Sequence, residues 1–368
     1  MAALVKGWRT QLDGTTRAES YPCARHKEGI EMRRAITTIA SVVAALVVLI
    51  AMGRAAAAAP TKNGKILFRR YLNDDHTQGD VFSIRPNGTK LFRVTHSGSG
   101  QVGTEPNPSP DGRWIAYMIA PENDLDHARL FKIHPNGEGQ TALSSTCTGD
   151  CQGDGFPNWS PSGRRIAFQR VLSSDPSQPV GFVAIFVMRA DGTDVKQITQ
   201  LSADPSEPSR FADGAPSWAP DRSHLAFERF SDSRGRQAIF TVRLDGTRAR
   251  RITPWLLDAS QPYYSPDGRW IAFRSDESSD RRGNIWLVRP NGRRLHAITH
   301  TRAGTGKWQS CAFSPDGRYL VSALTPIVGG EPQNADVYVM GLNGGHSRNV
   351  TNTKRYWESA PDWGVGAA

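Results

Sequence analysis

One phrase recurs about every fifty residues in this chain, and it limits the possible folds more than any other feature. It first reads Pro106-Asn-Pro-Ser-Pro-Asp-Gly-Arg-Trp-Ile-Ala-Tyr117, then Pro157-Asn-Trp-Ser-Pro-Ser-Gly-Arg-Arg-Ile-Ala-Phe168. It returns at Pro216–Phe227, Pro262–Phe273 and Cys311–Val321. A second phrase alternates with it: an apolar strand, an Asn-Gly or Asp-Gly turn, then a strand ending in Ile-Thr or Val-Thr. Its turn glycines are Gly88, Gly137, Gly192, Gly246, Gly292 and Gly344, at intervals of 46 to 55 residues. Self-similarity at such a period marks an array of like units.

Each phrase has a physical reading. In Ser-Pro-Asp-Gly, proline fixes φ, aspartate bonds its own backbone and glycine takes the positive-φ position, which makes a tight reversal. Asn-Gly and Asp-Gly between apolar strands predict two-residue hairpins. Segments such as Arg-Trp-Ile-Ala-Phe are rich in the aromatic and β-branched residues that strands favour. With 35 glycines, 24 prolines and 10 tryptophans, the composition also points to short strands and tight turns rather than helices. One repeat therefore predicts a four-stranded meander, too small to bury both of its faces, and radial stacking of such sheets buries them. The chain begins its repeats at Asn63–Phe68 with a second strand lacking a first. It ends at Ala360–Gly364 with a first strand lacking a second. The expectation is an all-β, six-bladed β-propeller over residues 60–368, its ring closed by the C-terminal strand joining the three N-terminal strands so that no open sheet edge is left to pair, and a monomer.

The N-terminus reads as an address. Met32-Arg33-Arg34 precedes an apolar run from Ala35 to Met52, followed by Gly53-Arg54, Ala55–Ala59 and Pro60. A basic start, a hydrophobic stretch and a small-residue end are the parts of a secretory signal. Residues 32–59 are thus expected to be a signal peptide or an N-terminal membrane anchor, and 1–31 an extension upstream of a start at Met32. Residues 1–59 hold eight Lys/Arg and four Asp/Glu, so the net charge of +10 falls to +6 over the remainder. Such a surplus, in an exported chain, argues against a nucleic-acid partner. The expected location is periplasmic, extracytoplasmic or secreted, with contact to a membrane only through an uncleaved 35–52 segment.

The repeated Pro-x-Trp-Ser-Pro-Asp-Gly-x-x-Ile-Ala-Phe resembles the WD-like propeller repeat of the TolB family. More loosely it is similar to the N-terminal propellers of prolyl-oligopeptidase-type peptidases. The likeness covers about 63–364, with drift at Pro108, Ala219, Arg222 and Cys311. It implies a periplasmic or envelope propeller that acts by binding proteins. TolB carries an α/β domain ahead of its propeller that engages the other Tol proteins. No counterpart is read here between the signal and the first strand, so those partners are not carried over.

The motifs of several enzyme classes are missing. No Gly-x-Ser-x-Gly, His-Glu-x-x-His, Walker loop or dinucleotide fingerprint occurs. The histidines lie in separate repeats, His96 and His300 in equivalent places after the outer strand, and read as exposed loop residues. Aligning repeats on the first-strand proline puts Asp154, Asp213 and Glu358 three residues before it, with Glu105 and Asp258 close by. These five form an expected carboxylate ring at one channel mouth, able to attract a cationic peptide. Asp154, Asp213 and Glu358 could hold Ca²⁺, the one cofactor considered. Otherwise each acid serves its own turn. An arginine group (Arg248, Arg250, Arg251, Arg281, Arg282, Arg293, Arg294) reads as protection of outer edges, the alternative being a surface for an anionic envelope polymer or an acidic partner. Cys147 and Cys151 suit a local disulfide in an exported protein, and Cys311 a buried core position. The function expected is a non-enzymatic scaffold binding an envelope or secreted protein. The alternative is a carbohydrate-active lyase or hydrolase using channel carboxylates. Contacts are expected on the connections Ser173–Val183, Leu201–Gly214 and Ile327–Ala335.

Overall fold

The turn chemistry of the repeats organises the structure. A computed structural model describes residues 62–366 except 122–123, 145, 173–181, 201–210, 278–281 and 303. The segments expected to be a signal or anchor (32–59) and an upstream extension (1–31) lie outside the described residues, as do most of the two connections around the third repeat. In three repeats the serine of Ser-Pro-Asp-Gly bonds across the reversal. Ser109 Oγ accepts from the Trp114 amide at 2.9 Å and donates to Asp111 at 2.6 Å; Ser265 and Ser314 do the same. The Ile-Thr phrase has a reason too. The hydroxyls of Thr95, Thr199, Thr253, Thr299 and Thr351 each accept an amide of the third strand, at 2.8 to 3.0 Å. Every outer strand is only two residues long, and this bond pins it where the backbone ladder stops.

The strands form antiparallel meanders. The innermost strands of the five consecutive repeats are Gln101–Pro108, Cys151–Trp159, Phe211–Trp218, Ala259–Tyr264 and Gly306–Phe313. Each pairs with the strand after it, that one with a third, and the third with a two-residue outer strand. The fifth meander carries an extra ribbon, Glu331–Pro332 against Ile327–Val328. A further meander is composite. Glu358–Val365 pairs with Asn63–Tyr71, matching Trp363 to Ile66 and Glu358 to Arg70, and Asn63–Tyr71 in turn pairs with Gly79–Ile84. One parallel bridge, Gly79 to Val102, links the composite sheet to the first repeat.

Packing follows from the alternation of apolar residues on both sheet faces. Each of six hydrophobic clusters is shared by two successive sheets. Leu67 and Val81 meet Tyr117 and Ile133, for example, and Ile185 and Val187 meet Phe227 and Val242. Val337 and Val339 of the fifth repeat meet Ile66 and Phe68 of the composite sheet. The all-β propeller is the fold that the repeats predict, and among the described residues the only helices are two single turns, Leu125–His127 and Trp255–Leu257. No helix of the described residues is long and apolar enough to cross a membrane.

The hairpin glycines also set the spacing of the sheets. Gly246 has φ +80°, and a Cβ there would lie 2.7 Å from the Ile198 carbonyl oxygen of the preceding sheet. Each of the other five hairpin glycines faces the corresponding carbonyl of its own preceding sheet, Gly88 that of Val350. Gly246→Ala combines a left-handed backbone with a clash against backbone, so a loss of about 2–3 kcal/mol is expected. Urea denaturation measures it, and a loss below about 0.5 kcal/mol would mean that neither constraint operates.

Candidate functional site

The six innermost strands converge on the propeller axis, and a repeated bulge shapes what they present there. In five of them the residue before the conserved proline is left-handed: Glu105, Phe156, Ala215, Gln261 and Ala360 have φ of 45° to 51°. The pairing register slips at that point in each strand. A bulge of this kind bends a strand and re-aims its side chains. Here the prolines and the residues after them crowd the axis. They leave a small cavity of about 70 Å³, lined by Glu105, Asn107, Asn158, Tyr263, Cys311 and Asp362, among others.

Polar side chains stitch the strands together around this cavity. Asn107 Oδ1 accepts from the Trp159 amide at 2.7 Å, Asn158 Oδ1 from Trp218 at 2.9 Å and Ser217 Oγ from Tyr264 at 3.0 Å. Asp362 of the C-terminal strand accepts from Asn107 Nδ2 at 2.6 Å and from the Tyr263 hydroxyl at 2.9 Å. Burial pushes its carboxyl up to about 6, against these bonds. Glu228 accepts from the Gln261 amide at 2.7 Å and is likewise raised by burial. Glu105 lines the cavity without a hydrogen-bond partner for its carboxyl among the described residues. Burial holds it up at about 7, with Arg69 opposing and the charges of Glu228 and Asp362 adding. Cys311 is buried on the same wall, its thiol pushed up to about 12.

The five carboxylates marked by the repeat alignment are not brought together. Asp154 takes two bonds from Arg170 (2.7 and 2.9 Å), and Asp213 two from Arg229 (2.6 and 2.7 Å). Glu358 binds Arg70, with Nε at 2.7 Å from Oε1. Each arginine lies opposite its acid on the adjacent strand and over two phenylalanine rings of its own sheet. Burial still pushes Asp213 and Glu358 upward, and the arginines oppose it. Asp258 is a left-handed cap after Trp255–Leu257, its carboxylate accepting the Gln237 amide at 2.8 Å. Of the five, only Glu105 lines the axial cavity. Three acids with guanidinium partners offer a calcium ion little free charge. Among the described residues the one group of potential ligands within reach of a single ion is Cys147, Cys151 and Asp154, and the two sulfurs are bonded to each other. His96 and His300 are exposed, as are Arg248, Arg250, Arg251, Arg293 and Arg294; Arg281 and the Arg282 side chain lie outside the described residues. Asn107, Glu228, Tyr263 and Asp362 are the axial residues that the sequence reading missed.

Comparison with known proteins places the fold. No protein-family model matches the chain. An uncharacterised protein of Agrobacterium fabrum is 25% identical over 152 residues, 41% of this chain and 47% of that protein, so the match spans about half of the relative. Among solved structures, TolB from Acinetobacter baumannii superposes with a TM-score of 0.61 at 19% identity, over 82% of this chain and 66% of that one. A putative TolB from Agrobacterium tumefaciens gives 0.56 at 18% identity, covering 82% of this chain and 99% of that one. An oligogalacturonate lyase from Vibrio parahaemolyticus gives 0.52 at 15% identity, over 79% and 76% of the two chains. At these identities the likeness is one of fold.

Proposed function

We propose that this chain, a TolB-like propeller in fold, is an exported scaffold that binds a protein partner in the cell envelope through one end of its barrel. The meander topology puts all first-to-second and third-to-outer turns at one end, the turn end. It puts the second-to-third and outer-to-first connections at the other, the loop end. Turn-end reversals are nearly uniform, whereas the fully described loop-end connections run from four residues (232–235) to eight (350–357). The observation that carries the reading is apolar exposure on these varied loops. Leu125 is 48% exposed, Leu256 66% and Val328 64%, each on a different sheet at the loop end. At the same end Tyr71 stacks on His76, which meets Trp357 edge to face, with Arg69 over Tyr71 and Arg355 over Tyr356. Aromatic and arginine side chains are the usual anchors of protein interfaces. The envelope location rests on the signal-like segment 32–59.

A photo-crosslinker placed at Leu125, Leu256 or Val328 in the native cell is expected to trap one discrete protein from all three positions. Adducts at none of them would overturn the reading. A second reading, a carbohydrate-active lyase or hydrolase, is supported by Glu105, a carboxyl without a bonded partner on the axial cavity. Against it stands the size of that cavity, well below the roughly 300–1,000 Å³ of sites that enclose small-molecule ligands. Turnover of polygalacturonate or envelope glycan that is lost in Glu105→Gln would establish it in place of the scaffold.

A further inference from the structure

The two ends of the propeller carry opposite charge. The turn end comprises residues 85–93, 109–114, 134–142, 160–165, 189–197, 219–224, 243–251, 265–270, 289–297, 314–319 and 341–349. Together these hold 19 Lys/Arg and eight Asp/Glu. The described loop-end residues (72–78, 94–100, 124–128, 143–144, 146–150, 198–200, 232–235, 252–258, 298–302, 304–305, 329–335 and 350–357) hold four Lys/Arg and eight Asp/Glu. The surplus over the described residues is thus +11 at one end and −4 at the other. Protection of outer edges does not explain this, because many of the basic residues lie in the turns rather than on outer strands: Arg113, Arg164, Arg222, Arg269 and Arg318 are all exposed there.

Two further observations select the counterpart of the basic end. Leu91, Phe92 and Tyr319, exposed by 46, 40 and 42%, lie at this end on the composite and fifth sheets. Phe92 has the Lys65 ammonium 5.5 Å from its ring centre. Apolar side chains set among basic ones suit a bilayer headgroup region, where rings and chains sink while cations meet lipid phosphate. The described chain also begins and ends here, with the Gly366 amide bonded to the Lys62 carbonyl at 2.6 Å. The apolar run Ala35–Met52 is joined to this point through nine residues, an extended reach of about 30 Å.

We infer that the turn end is a docking surface for an anionic lipid bilayer, which leaves the acidic loop end facing away from the membrane. The inference stands whether or not the loop end binds a protein.

All six hydrophobic clusters are built between Ile66 and Trp363, so the unit beginning at Pro60 holds its own core and is tested alone. It is sedimented with phosphatidylcholine vesicles containing about one-third phosphatidylglycerol, and with pure phosphatidylcholine vesicles. Binding is expected to the anionic vesicles at low ionic strength, at least about tenfold weaker to the neutral ones and similarly weakened by high salt. Arg248, Arg250, Arg293 and Arg294 all changed to Gln should weaken it at least about tenfold, given the usual contribution of each basic residue near such a surface. Those four are exposed, so the melting temperature should not move. A second set on other sheets, Arg113, Arg164, Arg222 and Arg318 to Gln, should act alike. Asp74, Asp75 and Asp124 changed to Asn at the loop end should not weaken binding. Equal binding to both vesicles, indifference to both arginine sets, or a clear preference for duplex DNA over anionic vesicles would each overturn the inference.

Discussion

Replacing Arg170 with methionine is expected to lower the stability of the propeller by about 3–5 kcal/mol, the usual cost of stranding one member of a buried ion pair. The Asp154 side chain is 1% exposed and that of Arg170 8%. Two near-parallel bonds join them, a geometry that only guanidinium provides. The same group lies 5.4 Å from the Phe168 ring centre and 5.2 Å from that of Phe186, and it reaches Thr146 in the disulfide-closed loop at 3.2 Å. Methionine keeps the apolar stem over the rings but leaves the carboxylate in the sheet without a counter-charge. The double variant Arg170→Met, Asp154→Ala removes that stranded charge and should recover more than half of the loss. Urea denaturation of the three proteins provides the test. If the double variant proves no more stable than the single one, the loss comes from packing over the rings rather than from the pair.

This pairing was visible in the chain, although only by comparing repeats with one another. Three residues before the strand-one proline, and two after the strand-two aromatic, the repeats carry Asp154 with Arg170, Asp213 with Arg229 and Glu358 with Arg70. Where the first position is Gly103 or Ala259, the second is Ile119 or Ser275. Acid and arginine appear and vanish together, as two residues in contact would require. Reading the acids without their partners turned a set of within-sheet bridges into an open ring. The fold itself was far more legible, because Ser-Pro-Asp-Gly and Asn-Gly are local instructions that act within six residues. The axial network was hidden for the opposite reason. Asn107, Tyr263 and Asp362 come from three sheets and meet only when the sheets are arranged about the axis. The charge polarity of the two ends could have been counted from the meander alone. Tallying net charge along the sequence concealed it, since turn and loop connections alternate and their charges cancel.

Stability should fall, not rise, as pH increases from about 4.5 to about 7, and Glu105→Gln should remove much of that fall. The Glu105 carboxyl has an ordinary value of 4.5 and is held at about 7 in the folded chain, chiefly by burial. Within that window the folded protein keeps a proton that the unfolded chain has released, so deprotonating the medium favours unfolding. The stability that protonation supplies is complete below about 4.5 and gone above about 7. At 1.36 kcal/mol for each pKa unit the loss comes to about 3 kcal/mol. Asp362, raised from 3.8 to about 6 by the same cause, adds a loss beginning at lower pH, and the two acids repel each other once both are ionised. Glutamine at position 105 cannot ionise and breaks no hydrogen bond of the carboxyl, while Arg69 keeps its bond to Ser359. The variant should therefore match the parent near pH 4.5 and exceed it by up to about 3 kcal/mol near pH 8. Chemical denaturation across this range separates the outcomes. A parent profile that is flat, or one that climbs with pH and is unaltered by the substitution, would mean that the axial carboxyl stays ionised throughout and that the cavity is wetter than its lining implies.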